Sequence, residues 1–112
     1  MSCKIHFTKP FQRESKKLSK RYASFKDDLR NLVDSLTCNP LQGTDLGGGT
    51  RKIRMAIKSK NRGKSGGARI ISHIVAQAQD GDLFLLYIYD KEDQSNVSDN
   101  AIKSILKDEG LL

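Results

Sequence analysis

The sequence predicts an α+β protein: an N-terminal strand, an α-helical hairpin, a mostly antiparallel twisted β-sheet and a short C-terminal helix. Three observations lead there. Apolar residues recur at helical spacing between Phe11 and Leu36. Alternating, β-branched stretches then dominate from Arg51 to Tyr89, with no helical pattern between them. A capped amphipathic segment closes the chain after Ser98. Helical and strand periods that are segregated along a chain indicate α+β organisation.

The elements follow in order. Met1–Thr8 reads as a strand with Ile5 and Phe7 on one face, ended by Lys9-Pro10. Phe11, Leu18 and Tyr22 are helically spaced in a strongly basic stretch. Ser24 is placed to cap a second helix, with Asp27 and Asp28 in its first turn, where the helix dipole favours anions. Its apolar stripe is Phe25, Leu29, Leu32, Val33 and Leu36, and it should stop before Asn39-Pro40, since a residue preceding proline disfavours the α region. Gly43 and Gly47-Gly48-Gly49 mark a turn. Arg51–Ile57 is a strand that puts Ile53, Met55 and Ile57 on one face and Lys52, Arg54 and Ala56 on the other. Residues 58–67 form a polar loop and 68–76 a β-branched strand. Asp80-Gly81-Asp82 reads as a hairpin turn, and Leu83–Tyr89 as a central strand apolar on both faces. Ser98 caps a helix over 99–108, and Gly110 stops it.

The chain of 112 residues is expected to form one domain over 1–112. Cys3 and Cys38 are far apart, and neither belongs to a metal-ligand pair, so no metal or cofactor is expected. No signal-peptide or membrane-spanning pattern is present in the sequence; a cytoplasmic protein with no membrane partner is expected.

Charge is distributed very unevenly. The net charge is +7, yet eight basic residues and no acidic one lie between Arg51 and Arg69: Arg51, Lys52, Arg54, Lys58, Lys60, Arg62, Lys64 and Arg69. The remaining residues are close to neutral. A local cationic field of this kind recruits polyanions to one face. Gly63-Lys64-Ser65 is not a P-loop: Lys58 stands where the first glycine is required, and Gly66-Gly67 leads into a strand rather than a helix. The segment reads instead as a glycine-rich basic loop suited to a phosphate backbone, with a solvated hairpin loop as the alternative. Strand parity puts Arg69 on a face with Ile71 and His73. His73 is more often a packed strand histidine than a catalyst, although it is counted among the candidate RNA contacts. Tyr87 and Tyr89 share a face; Tyr87 suits core packing, and Tyr89 suits a base or a phosphate.

The segments Gly49-Thr50-Arg51-Lys52-Ile53-Arg54, Arg62-Gly63-Lys64-Ser65-Gly66-Gly67-Ala68-Arg69-Ile70-Ile71 and Leu85-Leu86-Tyr87-Ile88-Tyr89-Asp90-Lys91 occur in that order. This pattern resembles the RelE/ParE toxin superfamily, and within it the HigB-type branch of RelE toxins. The resemblance spans most of the chain and is most specific over residues 49–91. It implies a RelE-like fold and a toxin of a type II toxin–antitoxin system. Such toxins are ribosome-dependent endoribonucleases that cut mRNA in the ribosomal A site and are neutralised by a cognate antitoxin, here of helix-turn-helix type. It implies catalytic positions at Lys52, Arg54, Arg69 and Lys91; the reading of the basic loop and strand faces adds Lys58, Lys60, Arg62, Lys64, Tyr89 and His73 as candidate RNA contacts. The chain departs from the pattern at Glu92, where relatives can carry arginine, and at Ser98, where they can carry tyrosine. The gyrase-binding ParE branch shares the fold without the nuclease role, and a non-catalytic RNA-binding module is a third reading.

The chemistry needs neither metal nor histidine, because RNA carries its own nucleophile in the 2′-OH. Cleavage requires a base, neutralisation of the pentacoordinate phosphate and an acid for the leaving 5′-oxygen. Lys52 is the candidate base, since crowding by arginines disfavours the charged form of a lysine. Arg54 and Arg69 suit the phosphate oxygens, and Lys91 or Arg69 is the candidate acid.

Overall fold

A computed structural model describes residues 2–61, 63, 66–76 and 80–112. Strand β1 (Ser2–Phe7) leads into helices α1 (Lys9–Arg21) and α2 (Phe25–Cys38). Strands β2 (Thr44–Gly47) and β3 (Thr50–Met55) follow, then a 3-10 turn (Lys58–Lys60), β4 (Ala68–Ala76), β5 (Asp80–Asp90) and α3 (Asp99–Asp108). The five strands form one sheet in the order β1-β5-β4-β3-β2. Neighbours are antiparallel except β1 and β5, which run parallel from Ser2↔Asp80 to Phe7↔Leu85. The expected α+β architecture is therefore present, with one more strand than the alternation of residues suggested.

The helical hairpin covers one face of the sheet. Phe11, Leu18, Phe25 and Leu36 pack there on Ile53, Met55, Ile70, Leu83, Leu85 and Ile88. The opposite face is covered only in part: α3 lays Ile102 and Leu106 on Ile71 and Leu86. What remains of that second face carries the cations. β5 maintains this division through a bulge. Ile71 pairs with Tyr87 and Ser72 with Leu85, so Leu86 is the extra residue, and the parity of the strand changes there. Leu86 and Tyr87 consequently both meet the α3 side.

Local chemistry explains most helix ends. The side chain of Thr8 accepts from the amide of Phe11 and caps α1, with Pro10 in the first turn. Ser98 caps α3 by accepting from Ala101, as the sequence predicts. Ser24 does not act as the expected cap. Its backbone is already helical, and its hydroxyl bonds Asp28 at 2.7 Å and accepts from the amide of Ser59 at 2.8 Å, tying α2 to the 3-10 turn. Two further expectations change. Asp80-Gly81-Asp82 lies within β5, paired to β1 on one side and, at Gly81 and Asp82, to β4 on the other. The glycine-bounded stretch before β3 contains β2, an exposed edge strand. At Gly67 a Cβ would stand 2.0 Å from the Met55 carbonyl oxygen, so only glycine lets β3 and β4 close together there.

Candidate functional site

Alternation along β3 buries Ile53 and Met55 under the hairpin and turns Lys52 and Arg54 to the other face. The pairing register then aligns side chains across three strands. Arg54 stands opposite Arg69, and Arg69 opposite Tyr89. In the parallel row, Lys52 stands opposite Ile71, which stands opposite Tyr87. Lys91 follows Tyr89 by two residues and joins the same side. These residues line a cleft of about 260 Å³ made by Lys52, Arg54, Arg69, Tyr89 and Lys91, with Thr44 and Leu46 of β2 on one side and Ser95 on the other.

Among the described residues, four cations and no carboxylate line this cleft. Arg54 is exposed, and Lys52 and Lys91 are half-buried. Arg69 is only 6% exposed and donates to its neighbour's carbonyl, Ala68 O, at 3.2 Å. The segment after β5 holds both lysines by polar contacts: Lys52 Nζ donates to Asn96 Oδ1 at 2.7 Å, and Lys91 Nζ donates to the Ser95 carbonyl at 3.1 Å. Tyr89 is 3% exposed, and its Oη has no hydrogen-bond partner among the described residues. Burial raises its pKa, and the charge of Arg69 acts in the opposite sense.

The other sequence candidates are dispersed. Lys58 is exposed on the 3-10 turn, its backbone N–H donating to Asp28 at 3.0 Å. Lys60, two residues on, is in a different setting. Its side chain is 4% exposed and lies over the Tyr22 ring, with Nζ 2.8 Å from Asp90, whose side chain is 0% exposed. Asp90 also accepts from Arg21, the Tyr22 hydroxyl and the Glu92 amide. Burial alone would push the Asp90 carboxyl up, but the bonds from Lys60, Tyr22 and the Glu92 amide, with the charge of Lys60, hold it down at about 2. Arg62 and Lys64 lie outside the described residues. His73 shares the face of Arg69 but is buried near the β2–β3 turn, Nδ1 3.0 Å from Thr50 Oγ1, and burial lowers its pKa. It stands four positions along β4 from Arg69, about 13 Å of strand.

Sequence reasoning did not find Ser95, Asn96, Thr44 or Leu46. Each reaches the cleft by tertiary pairing, and none carries a local pattern that would single it out. No group of three or more His, Cys, Asp or Glu side chains that could hold a metal is gathered among the described residues, and no described helix is long and apolar enough to cross a membrane.

Fold and site together define a small α+β protein whose sheet carries a cationic cleft on its half-covered face. Residues 3–108 match the family described as the RelE toxin of the RelE / RelB toxin-antitoxin system. The chain belongs to that family, and is a toxin of a toxin–antitoxin system.

Proposed function

We propose that this toxin is a ribosome-dependent endonuclease that cleaves mRNA in the ribosomal A site, blocks translation and is neutralised by a cognate antitoxin. The observation that supports this reading most directly is the convergence of Lys52, Arg54, Arg69 and Lys91 on one cleft that no carboxylate lines among the described residues. Like charges gathered on one sheet face repel one another, and a phosphodiester relieves that repulsion. In this reading Lys52 takes the proton of the 2′-OH. Arg54 and Arg69 receive the non-bridging oxygens, where planar guanidinium groups match the phosphate. Lys91 adds charge from the opposite wall. On the pattern over residues 49–91 we assign the chain to the HigB-type branch, with a helix-turn-helix antitoxin.

The sequence offers no pair of catalytic histidines at this cleft, so the ribosome is expected to supply the in-line geometry of the message. Purified toxin should therefore leave free RNA largely intact and cut mRNA on programmed ribosomes at the A-site codon. Efficient cutting of naked RNA at stoichiometric toxin would instead indicate a self-sufficient ribonuclease. Intact message on ribosomes, with arrested replication in cells, would indicate the gyrase-directed branch.

A further inference from the structure

The segment between β5 and α3 is a strap fastened at both ends. At its start the buried carboxylate of Asp90 accepts from the Glu92 amide, and the Asp90 carbonyl accepts from the amides of Asp93 and Gln94. At its end Val97 packs on the apolar cluster beneath α3, and Ser98 caps that helix. Ser95 and Asn96 lie between these anchors and are exposed. Each of them receives one lysine of the cleft. The Ser95 carbonyl takes Lys91 Nζ at 3.1 Å, and Asn96 Oδ1 takes Lys52 Nζ at 2.7 Å. The backbone of Asn96 is itself held, its carbonyl accepting from Gln94 Nε2 at 2.9 Å. Lys52 is 44 positions away in the chain, so only the fold brings this pair together.

A lysine side chain is long and flexible, and a general base must stand within hydrogen-bond reach of the proton it takes. An ammonium has donors and no acceptor, so the amide oxygen of Asn96 is the atom that must face it. The free amine keeps two N–H bonds and one lone pair. An oxygen that holds one of those N–H bonds turns the lone pair away from itself. The choice of an amide also has meaning. A carboxylate at the same place would favour the ammonium and oppose a base, whereas a neutral oxygen holds the nitrogen without that charge. The charged groups that share the cleft with Lys52 are Arg54, Arg69 and Lys91, with no carboxylate among the described residues, and its partner on β2 is the neutral Thr44. Resting on the nuclease reading above, we propose that Asn96 is a positioning residue for Lys52, its amide oxygen fixing Nζ where the amine meets the 2′-OH of the message. Asn96 acts through the lysine and does not touch the message. When Lys52 takes the proton and becomes the ammonium, the same oxygen still holds it.

The test compares Asn96→Leu and Asn96→Asp with wild type in single-turnover cleavage of mRNA on programmed ribosomes, from neutral to alkaline pH. Leucine fills a similar volume and offers no acceptor. Its maximal rate should fall by ~10–10² at every pH, with the concentration for half-maximal rate unchanged. Aspartate keeps an oxygen in place and adds a charge that favours the ammonium. Its cleavage should be slow at neutral pH and recover as pH rises, the rate profile moving to higher pH by about 1 unit or more. Both variants should melt near the wild-type temperature, because Asn96 is exposed. A wild-type rate in Asn96→Leu would overturn the proposal. A faster rate would overturn it too and show that the strap restrains Lys52. A change confined to the half-maximal concentration would make Asn96 a contact to the message or the ribosome. If the leucine variant melts early, the aspartate variant decides: recovery at high pH upholds the positioning role, and equal loss at every pH overturns it. A wild-type toxin that leaves the message on ribosomes intact would overturn the nuclease reading, and this one with it.

Discussion

Arg54 and Arg69 face each other across adjacent antiparallel strands, two guanidinium side chains in direct register on the same side of the sheet. Like charges placed so are destabilising by roughly 0.2–1 kcal/mol relative to neutral pairs. The fold thus carries a repulsive pair at the centre of its cleft.

Arg54→Ala should separate function from stability. In the nuclease reading, cleavage on ribosomes should fall by ~10²–10³ with the loss of one phosphate cation. Unfolding free energy should stay level or rise by a few tenths of a kcal/mol, because Arg54 is exposed and its removal relieves Arg69. Denaturant melts and single-turnover cleavage measure the two quantities. Full growth inhibition by the variant would remove Arg54 from the site.

Lys58 and Lys60 are two residues apart and should respond in opposite ways. Lys60→Met takes away the nearest cation from a buried carboxylate and should cost about 3–5 kcal/mol, read as a lower denaturation midpoint. Lys58→Met, on an exposed side chain, should leave stability within about 0.5 kcal/mol. In the ribosome-binding reading, only the Lys58 variant should show a shallower salt dependence with its fold unaltered. Equal melts for both variants would contradict the buried pair.

Acid should uncover the same pair. The folded-state pKa of Asp90, about 2, lies below its ordinary 3.8. Between those values the unfolded chain binds more protons at this site, so stability rises with pH there. The contribution, about 2 kcal/mol, is complete above about pH 4 and is lost as pH falls through 2. Asp90→Asn should flatten this part of an acid titration followed by circular dichroism; an unchanged acid slope would speak against the assignment.

His73 acts at milder pH and in the same direction. Burial lowers its folded pKa from 6.5, so on acidification the unfolded state is protonated first. Stability should decline as pH falls below about 6.5, and His73→Gln should reduce that decline while keeping a group able to bond Thr50. Melting temperatures across pH 7 to 5 for the two proteins make the comparison.

The parts of the fold that repeat with a period were legible in the sequence. Phe25 through Leu36 gave α2 its stripe, and the alternation from Arg51 to Met55 gave the cationic face its orientation. Arg69 fell on the same face because β4 is regular up to the bulge. Features without a period were not legible. β2 is four exposed residues bounded by glycines. Asp80-Gly81-Asp82 has turn chemistry but is held in β5 by β1 and β4. The burial of Lys60 depends on Asp90, thirty residues away, and a polar loop composition says nothing of it. The cleft itself was half visible: its cations carry a pattern, whereas Asn96 and Ser95 reach it only through the path of the chain after β5.

The sheet order has a consequence for biosynthesis. β5 lies between β1 and β4, and it bonds the first strand in parallel across 78 residues, as Ser2 pairs with Asp80. A nascent chain that has not yet produced residues 80–90 holds two edges with nothing to join them, and its helical hairpin lacks Leu83, Leu85 and Ile88 of the surface it packs on. Such long-range closure is slow relative to local folding. The cleft residues Tyr89 and Lys91 arrive with the same late segment. An unfinished copy of this toxin therefore has no assembled cationic cleft, and its site is complete only when synthesis of the chain is nearly over.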